Sequence, residues 1–304
     1  GVRQGGSPRL PARADALPAV PAAVARQTRR AARTDVLQPE DCLKFAPDLD
    51  ISRLKGATFC PKDGTAYPFA VVWGYARACH RAGVDIFIRT RVTGVTADDG
   101  RIRQVHTDRG DIDTGLVINC AGPWARSLAA MIGVELPNRQ ERHEIMVSES
   151  LKPFLDPMVI SITNGIYFSQ SMRGEIVGGI GDRAEPAHDD PARFDTRSQL
   201  RFAVRFAKEL IRYYPRAAQV RMMRQWAGMY DVTPDHRPIL GGVPGLDGYY
   251  HICGFSGHGF MLGPVSGRRM ARHITTGEPD DIIASLSLDR FENGDIKADA
   301  FVVG

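Results

Sequence analysis

The 304-residue chain contains no apolar run approaching the roughly 20 residues that cross a bilayer. Residues Gly1 to Leu10 also lack the apolar core of a signal peptide. These absences suggest a cytoplasmic protein. Cysteine is scarce: Cys42, Cys60, Cys79, Cys120 and Cys253 are odd in number, widely spaced and form no Cys-x-x-Cys. That argues against a disulfide framework or zinc site, and no metal is expected. Charge of one sign is lacking as well. Thirty-nine Lys and Arg face 35 Asp and Glu, a net +4, and the basic residues are dispersed without the interleaved aromatics of a nucleic-acid groove. No internal repeat or low-complexity tract is present. Before Asp35 there is no Gly-x-Gly-x-x-Gly either.

The hydrophobic fraction of 43% suffices for a packed core, and the length suggests about two domains. The Ala-, Arg- and Pro-rich opening, residues 1–34, is atypical and is expected to be poorly ordered. Pro39 to Pro47 reads as a short helix between two prolines. Phe69 to Ala82 reads as a second, with Val72, Ala76, Cys79 and Ala82 at intervals of three and four and Gly83 beyond its end. Val84 to Ile88 is expected as a short strand. Strands at Arg91 to Ala97 and Arg101 to Thr107 are joined by Asp98-Asp99-Gly100, a hairpin signal. From Pro137 to Gly181 short strands alternate with glycine turns, the pattern of an antiparallel layer. An amphipathic helix starting near Asp195 or Thr196 then runs to Pro215, followed by a strand from Val220 to Trp226 and a closing helix from Gly263 to Ile274.

Two stretches carry the chemistry. The apolar strand Leu116-Val-Ile-Asn-Cys120, of the kind buried on both faces of a parallel sheet, runs into Ala121-Gly-Pro-Trp124 and then a helix from Ala125 to Ile132. Far downstream, Tyr249-Tyr-His-Ile-Cys253 runs into Gly254-Phe-Ser-Gly-His-Gly-Phe260 and another helix. A strand, a glycine bend and a helix together aim unpaired N–H groups at an anion or a polar ring edge. Either bend alone reads equally well as a tight turn. His258 reads either as a ligand-side group or as a hydrogen-bonded turn residue.

Taken with Trp226-Ala-Gly-Met-Tyr-Asp-Val-Thr-Pro-Asp235 and Val72-Trp-Gly-Tyr-Ala-Arg77, these motifs resemble the FAD-dependent amine oxidoreductases of the D-amino-acid oxidase superfamily. Within it the chain is most similar to sarcosine oxidase β-subunits and proline dehydrogenase β-subunits, with glycine oxidase close by. The resemblance runs from about Asp35 to Asp280. It implies an α/β (α+β) fold: a Rossmann-like FAD-binding domain of discontinuous segments, here without its first βαβ unit, plus a mainly antiparallel substrate domain. The divisions expected are 35–136 and 226–304 for the FAD-binding part and 137–225 for the substrate domain, with part of 39–70 assignable to either. The implied activity is oxidation of the C–N bond of a sarcosine-, proline- or glycine-type amine by hydride transfer to flavin. The chain would then be a β-type subunit of a hetero-oligomer; a non-catalytic remnant or binding subunit is the alternative.

By motif position the resemblance places Val92, Cys120, Ala121, Gly122 and Trp124 at the dinucleotide. Gly228, Met229, Tyr230, Gly254, Phe255, Ser256, Gly257, His258, Gly259, Phe260 and Met261 fall at the ring. His258 and Tyr167 are the catalytic candidates, and packing within its sheet is the other reading of Tyr167. Three departures qualify the resemblance. The absent Gly-x-Gly-x-x-Gly implies weakened FAD binding and a shortened chain. Met261 stands where sarcosine oxidases carry a carboxylate-pairing lysine, and Glu175-Ile-Val-Gly178 has no lysine for activating oxygen. Gly228 replaces the cysteine that monomeric sarcosine oxidases bond to flavin, so non-covalent FAD is expected.

Overall fold

The computed structural model describes residues 2–4, 7–10, 34–181 and 195–294. Two large sheets organise them. The first has eight strands in the order Met222–Val232, Arg139–Ser150, Glu175–Ile180, Ile166–Gln170, Val159–Ser161, Ser7–Leu10, Ala57–Cys60 and Asp35–Leu37. All pairs are antiparallel except Val159–Ser161 with Ser7–Leu10. The second orders Ile239–Val243, Leu246–Cys253, Arg101–Thr107 and Val92–Asp98, with Val117–Asn119 parallel to Leu246–Cys253.

Alternation along the central strands gives the first sheet one closed face. Met146, Ile166, Phe168, Ile176 and Ile180 are buried beneath Phe202, Phe206 and Leu210 of the helix Leu200–Tyr213. Burying side chains of this size contributes about 1.5–3 kcal/mol each. The opposite face, with Ile145, Val147, Tyr167, Trp226 and Gly228, is less covered.

Helices cover both faces of the second sheet around Ile239–Val243 and Leu246–Cys253. Ala125–Ala130 packs on the side of Cys253, while Gly259–Thr276 and Asp281–Ser285 pack on the side of Leu240 through Met270 and Ile283. Behind it, Asp235 of the Thr-Pro-Asp motif is fully buried and pairs with Arg290 through contacts of 2.8 and 3.0 Å.

Several sequence expectations change. The poorly ordered opening forms strands at Val2–Gln4 and Ser7–Leu10, while 11–33 lie outside the described residues. The first pairs with Gly64–Ala66 and the second joins the eight-stranded sheet. The strand beginning at Met222 continues to Val232 within the antiparallel sheet, so a domain boundary at 226 cuts through it. Val84 to Ile88 forms no strand: none of the described strands lies beside it to complete a ladder, and Val84, Ile86, Phe87 and Ile88 are exposed. The helix Pro68–Arg81 forms as its periodicity suggests yet buries none of its residues. Leu116, Ile118 and Cys120 are exposed, so Val117–Asn119 is open on one face.

The helix expected from Asp195 or Thr196 begins at Leu200, because the backbone ahead of it is engaged elsewhere. Arg142 takes the carbonyls of Asp195 and Arg197, and the Gln199 N–H donates to Glu144. The closing helix starts four residues early, at Gly259, and runs through Pro264.

Candidate active site

The strands that feed the two glycine bends are neighbours. Val117, Ile118 and Asn119 pair in parallel with Tyr249, Tyr250 and His251, so both bends leave the same carboxyl edge of one sheet. Asn119 braces the first: its Nδ2 donates to the Ala125 carbonyl (2.9 Å) and the Tyr249 hydroxyl (3.1 Å), and its Oδ1 accepts from the Ala121 N–H. Arg101–Thr107 also runs parallel to Leu246–Cys253, which brings Val92, paired with Thr107, to that edge. Val92 packs with the cluster of Val95, Ile102 and Tyr249.

A cross-strand pair of the antiparallel sheet joins the bends. Gln140 and Asp231 lie opposite each other. Gln140 Nε2 donates to the Pro123 carbonyl of the first bend at 2.6 Å. Asp231 Oδ2 accepts the Gly254 N–H of the second at 2.6 Å, its backbone carbonyl accepts the Ser256 N–H, and Asn138 Nδ2 bonds its other oxygen. Burial pushes the Asp231 carboxyl above its ordinary range, against the opposing effect of the Asn138 and Gly254 bonds.

Gly254, Ser256 and Gly257 all have positive φ, at 72°, 49° and 85°. This left-handed turn aims the Gly254 and Ser256 N–H groups at Asp231, which accepts both. His258 then caps the 18-residue helix Gly259–Thr276, whose first amides have no acceptor within the helix and form its electropositive end. His258 Nδ1 sits 3.1 Å from the Ser256 carbonyl, so its ring is tied to its own turn. Trp124, Phe260 and Met261 are exposed beside the bends. Cys120 is exposed, while Ala121, Gly122, Phe255 and Gly259 are half-buried in the bends.

Directly beyond the second bend begins the open face of the antiparallel sheet. A Cβ added at Gly257 would fall 2.8 Å from the Tyr230 ring, so bend and ring are in contact. Gly228, two residues before Tyr230, has nothing within 4 Å of such an atom and leaves space above the sheet. Met229 points to the other face by alternation. Tyr167, three strands away, reaches the same place through His143, which the sequence reading did not single out. His143 Nε2 lies 2.9 Å from the Tyr167 hydroxyl, and the imidazole stacks on Tyr230 with centroids 4.5 Å apart. Burial lowers the His143 pKa to about 4 despite the adjoining Glu144 carboxylate, and it raises both tyrosines. The group is therefore neutral near pH 7.

The unpaired amides at the start of the helix Gly259–Thr276, set against the open aromatic face of the sheet, suit a flat anionic dinucleotide. Comparison with known proteins agrees. Residues 1–273 match the family described as FAD dependent oxidoreductase (DAO), and the chain belongs to that family. FAD is the family's cofactor, and the open space at Gly122 and Gly228 together with the free amides at 259–261 fits it.

Among relatives, the chain is 34% identical to the sarcosine oxidase subunit beta of Rhodobacter capsulatus over 272 residues, 88% of this chain and 64% of that protein. It thus spans less than two thirds of that relative. The crystal structure of L-proline dehydrogenase from P. horikoshii superposes with a TM-score of 0.91 at 29% identity, covering 98% of this chain and 79% of that one. Glycine oxidase from Geobacillus kaustophilus shares the fold, with a TM-score of 0.84 at 22% identity over 95% of this chain and 76% of that one. The mixed α/β flavoprotein fold read from the motifs is the one observed. No helix among the described residues is long and apolar enough to cross a membrane.

Proposed function

We propose that the chain oxidises the C–N bond of a small amino acid or secondary amine of the sarcosine, proline or glycine type, as a β-type subunit of a larger assembly. The observation that carries this reading is the contact of Tyr230 with Gly257, which sets the aromatic face of the antiparallel sheet against the second bend. The similarity to a sarcosine oxidase subunit beta supports both the substrate class and the assembly.

FAD, when bound, would supply a two-electron acceptor for the hydride on the carbon beside nitrogen. The amine lone pair then forms the C=N bond, and water hydrolyses the resulting imine. The chain's own residues have three tasks. Gly228 leaves room for the amine over the sheet, and Tyr167, Tyr230 and neutral His143 wall that room with no charge that would hold the amine protonated. The start of the helix at Gly259, held by the second bend, would stabilise negative charge at the cofactor side. Met261 supplies no cation for a substrate carboxylate, so polar groups on the sheet face must take that part.

The test is expression of the complete gene, measurement of its flavin absorbance, and anaerobic titration with sarcosine, proline, glycine and dimethylglycine in turn. Bleaching by one of them is the expected result. A flavin-loaded protein that none of the four reduces would overturn the amine assignment and favour a binding subunit.

A further inference from the structure

We infer that His143 is a positioning residue of this site: its Nε2 fixes the Tyr167 hydroxyl while its ring carries the Tyr230 ring, so the two phenols meet the substrate as one rigid polar wall. The substrate class rests on the amine-oxidation reading above; the geometry does not.

Three strands contribute, and their register explains the meeting. His143 lies opposite Gly228, and Tyr167 lies opposite Gly179, which in turn lies opposite Ile145. All of these residues share the open face. Gly179 is the gap through which the two side chains touch: a Cβ there would stand 2.7 Å from the Tyr167 hydroxyl oxygen and 2.9 Å from His143 Nε2. With glycine in place, the His143 ring lies nearly parallel to both tyrosines, at 11° to Tyr167 and 10° to Tyr230. Gly257 of the second bend presses on the far ring of this stack.

The hydrogen bond sets a polarity. A phenol has one proton, and the Tyr167 hydroxyl lies 2.9 Å from His143 Nε2. When His143 donates Nε2–H to the Tyr167 oxygen, the Tyr167 proton is free to point into the open face of the sheet. That free proton gives the site a neutral donor for a carboxylate oxygen, where Met261 offers none. The opposite tautomer would instead accept the Tyr167 proton and consume it inside the stack. His143 thus decides whether the wall donates or accepts, without touching substrate.

The experiment uses the FAD-loaded product of the complete gene and benzoate as the carboxylate probe, read from the flavin spectrum. His143→Phe keeps a flat ring against Tyr230 and removes the nitrogen. It should weaken benzoate binding about fivefold, with flavin content and melting temperature unchanged. Tyr167→Phe should cost a similar factor, the double variant no more than the worse single one, and His143→Gln should recover part of the loss. Independently of flavin, long-range nitrogen NMR at pH 7 should show His143 as a single Nε2-protonated tautomer that is lost in Tyr167→Phe. Multiplying losses in the double variant, unchanged affinity in His143→Phe, or a tautomer indifferent to Tyr167 would each overturn the inference. Failure of every amine to bleach the wild type would overturn the substrate assignment alone, since benzoate binding and the tautomer are still readable.

Discussion

Asp231 offers the sharpest test of how the site is held together. Its buried carboxylate accepts the Gly254 N–H at 2.6 Å and an Asn138 N–H, and through the partnership with Gln140 it keeps the second bend beside the first. Asp231→Ala leaves both donors buried and unpaired, at about 1–3 kcal/mol each. The expected loss is roughly 2–6 kcal/mol, or about 3–10 °C in melting temperature for a chain of this size, together with most of the bound flavin.

Asp231→Asn should behave quite differently. Asn138 Oδ1 is buried and has no partner among the described residues. Turning the Asn138 amide over therefore presents an acceptor to the new side-chain NH2, while the new carbonyl oxygen still takes the Gly254 N–H. One unpaired acceptor is exchanged for one unpaired donor, and the loss should stay within about 1 kcal/mol at pH 7. The pH dependence has a definite sign. Burial raises the Asp231 pKa in the fold, so its contribution is full below the unfolded value of about 3.9 and is lost as pH rises through the folded value. The asparagine variant should accordingly compare worst with the wild type near pH 4 and close the gap toward pH 7. Urea denaturation at both values with absorbance at 450 nm reads all of this. Equal damage from Asn and Ala at pH 7 would refute the argument, because the charge itself would then be required.

Gly257→Ala forces a Cβ to 2.8 Å from the Tyr230 ring at φ 85°, and the backbone term alone costs about 1–2 kcal/mol. Urea midpoints should fall accordingly and flavin affinity with them, whereas Gly228→Ala, with open space around it, should stay within about 1 kcal/mol of the wild type; equal effects would refute the distinction. Burial lowers the pKa of both His143 and His251 to about 4, so their contribution is full above the unfolded value near 6.5 and is lost as pH falls from there toward 4. At pH 5 each has lost roughly 2 kcal/mol, and His251→Leu should flatten the acid limb of stability by about that amount in urea midpoints at pH 7 and 5; an unchanged slope would contradict a neutral buried imidazole.

The local chemistry of the chain was legible wherever one segment suffices to define it. Asp99 and Gly100 both have positive φ, as an Asp-Gly hairpin turn requires, and the strands end at Asp98 and resume at Arg101. Both glycine bends sit between a strand and a helix as read. What one segment could not reveal is pairing. His143 meets Tyr167 and Tyr230 only through the order of four strands, and no motif around Arg142-His-Glu144 signals it. A rule available in hindsight is that His143 shares strand parity with Ile145 rather than with buried Met146. The helix Pro68–Arg81 illustrates the converse. Its periodicity correctly forecasts a helix, but periodicity cannot say whether anything covers the apolar side, and Phe69, Val72 and Trp73 are exposed.

Strand parity also explains why the closed core governs the open site. Along Arg139–Ser150, the even residues Gln140 and Met146 point to the clamp and to the core, and the odd residues His143 and Ile145 point to the site. Because side chains alternate with period two, a slip of one residue would exchange the two sets, sending Arg142 and Glu144 into the aromatic wall and Met146 out of its contacts with the packed helix side. Register is therefore not chosen by the site residues, which are few and polar. It is chosen by the burial of Met146, Phe168 and Ile180 beneath Phe206 and Leu210. The stack of His143 between two tyrosines, and the alignment of Gln140 with Asp231 that brings the bends together, both follow from that apolar packing on the opposite face.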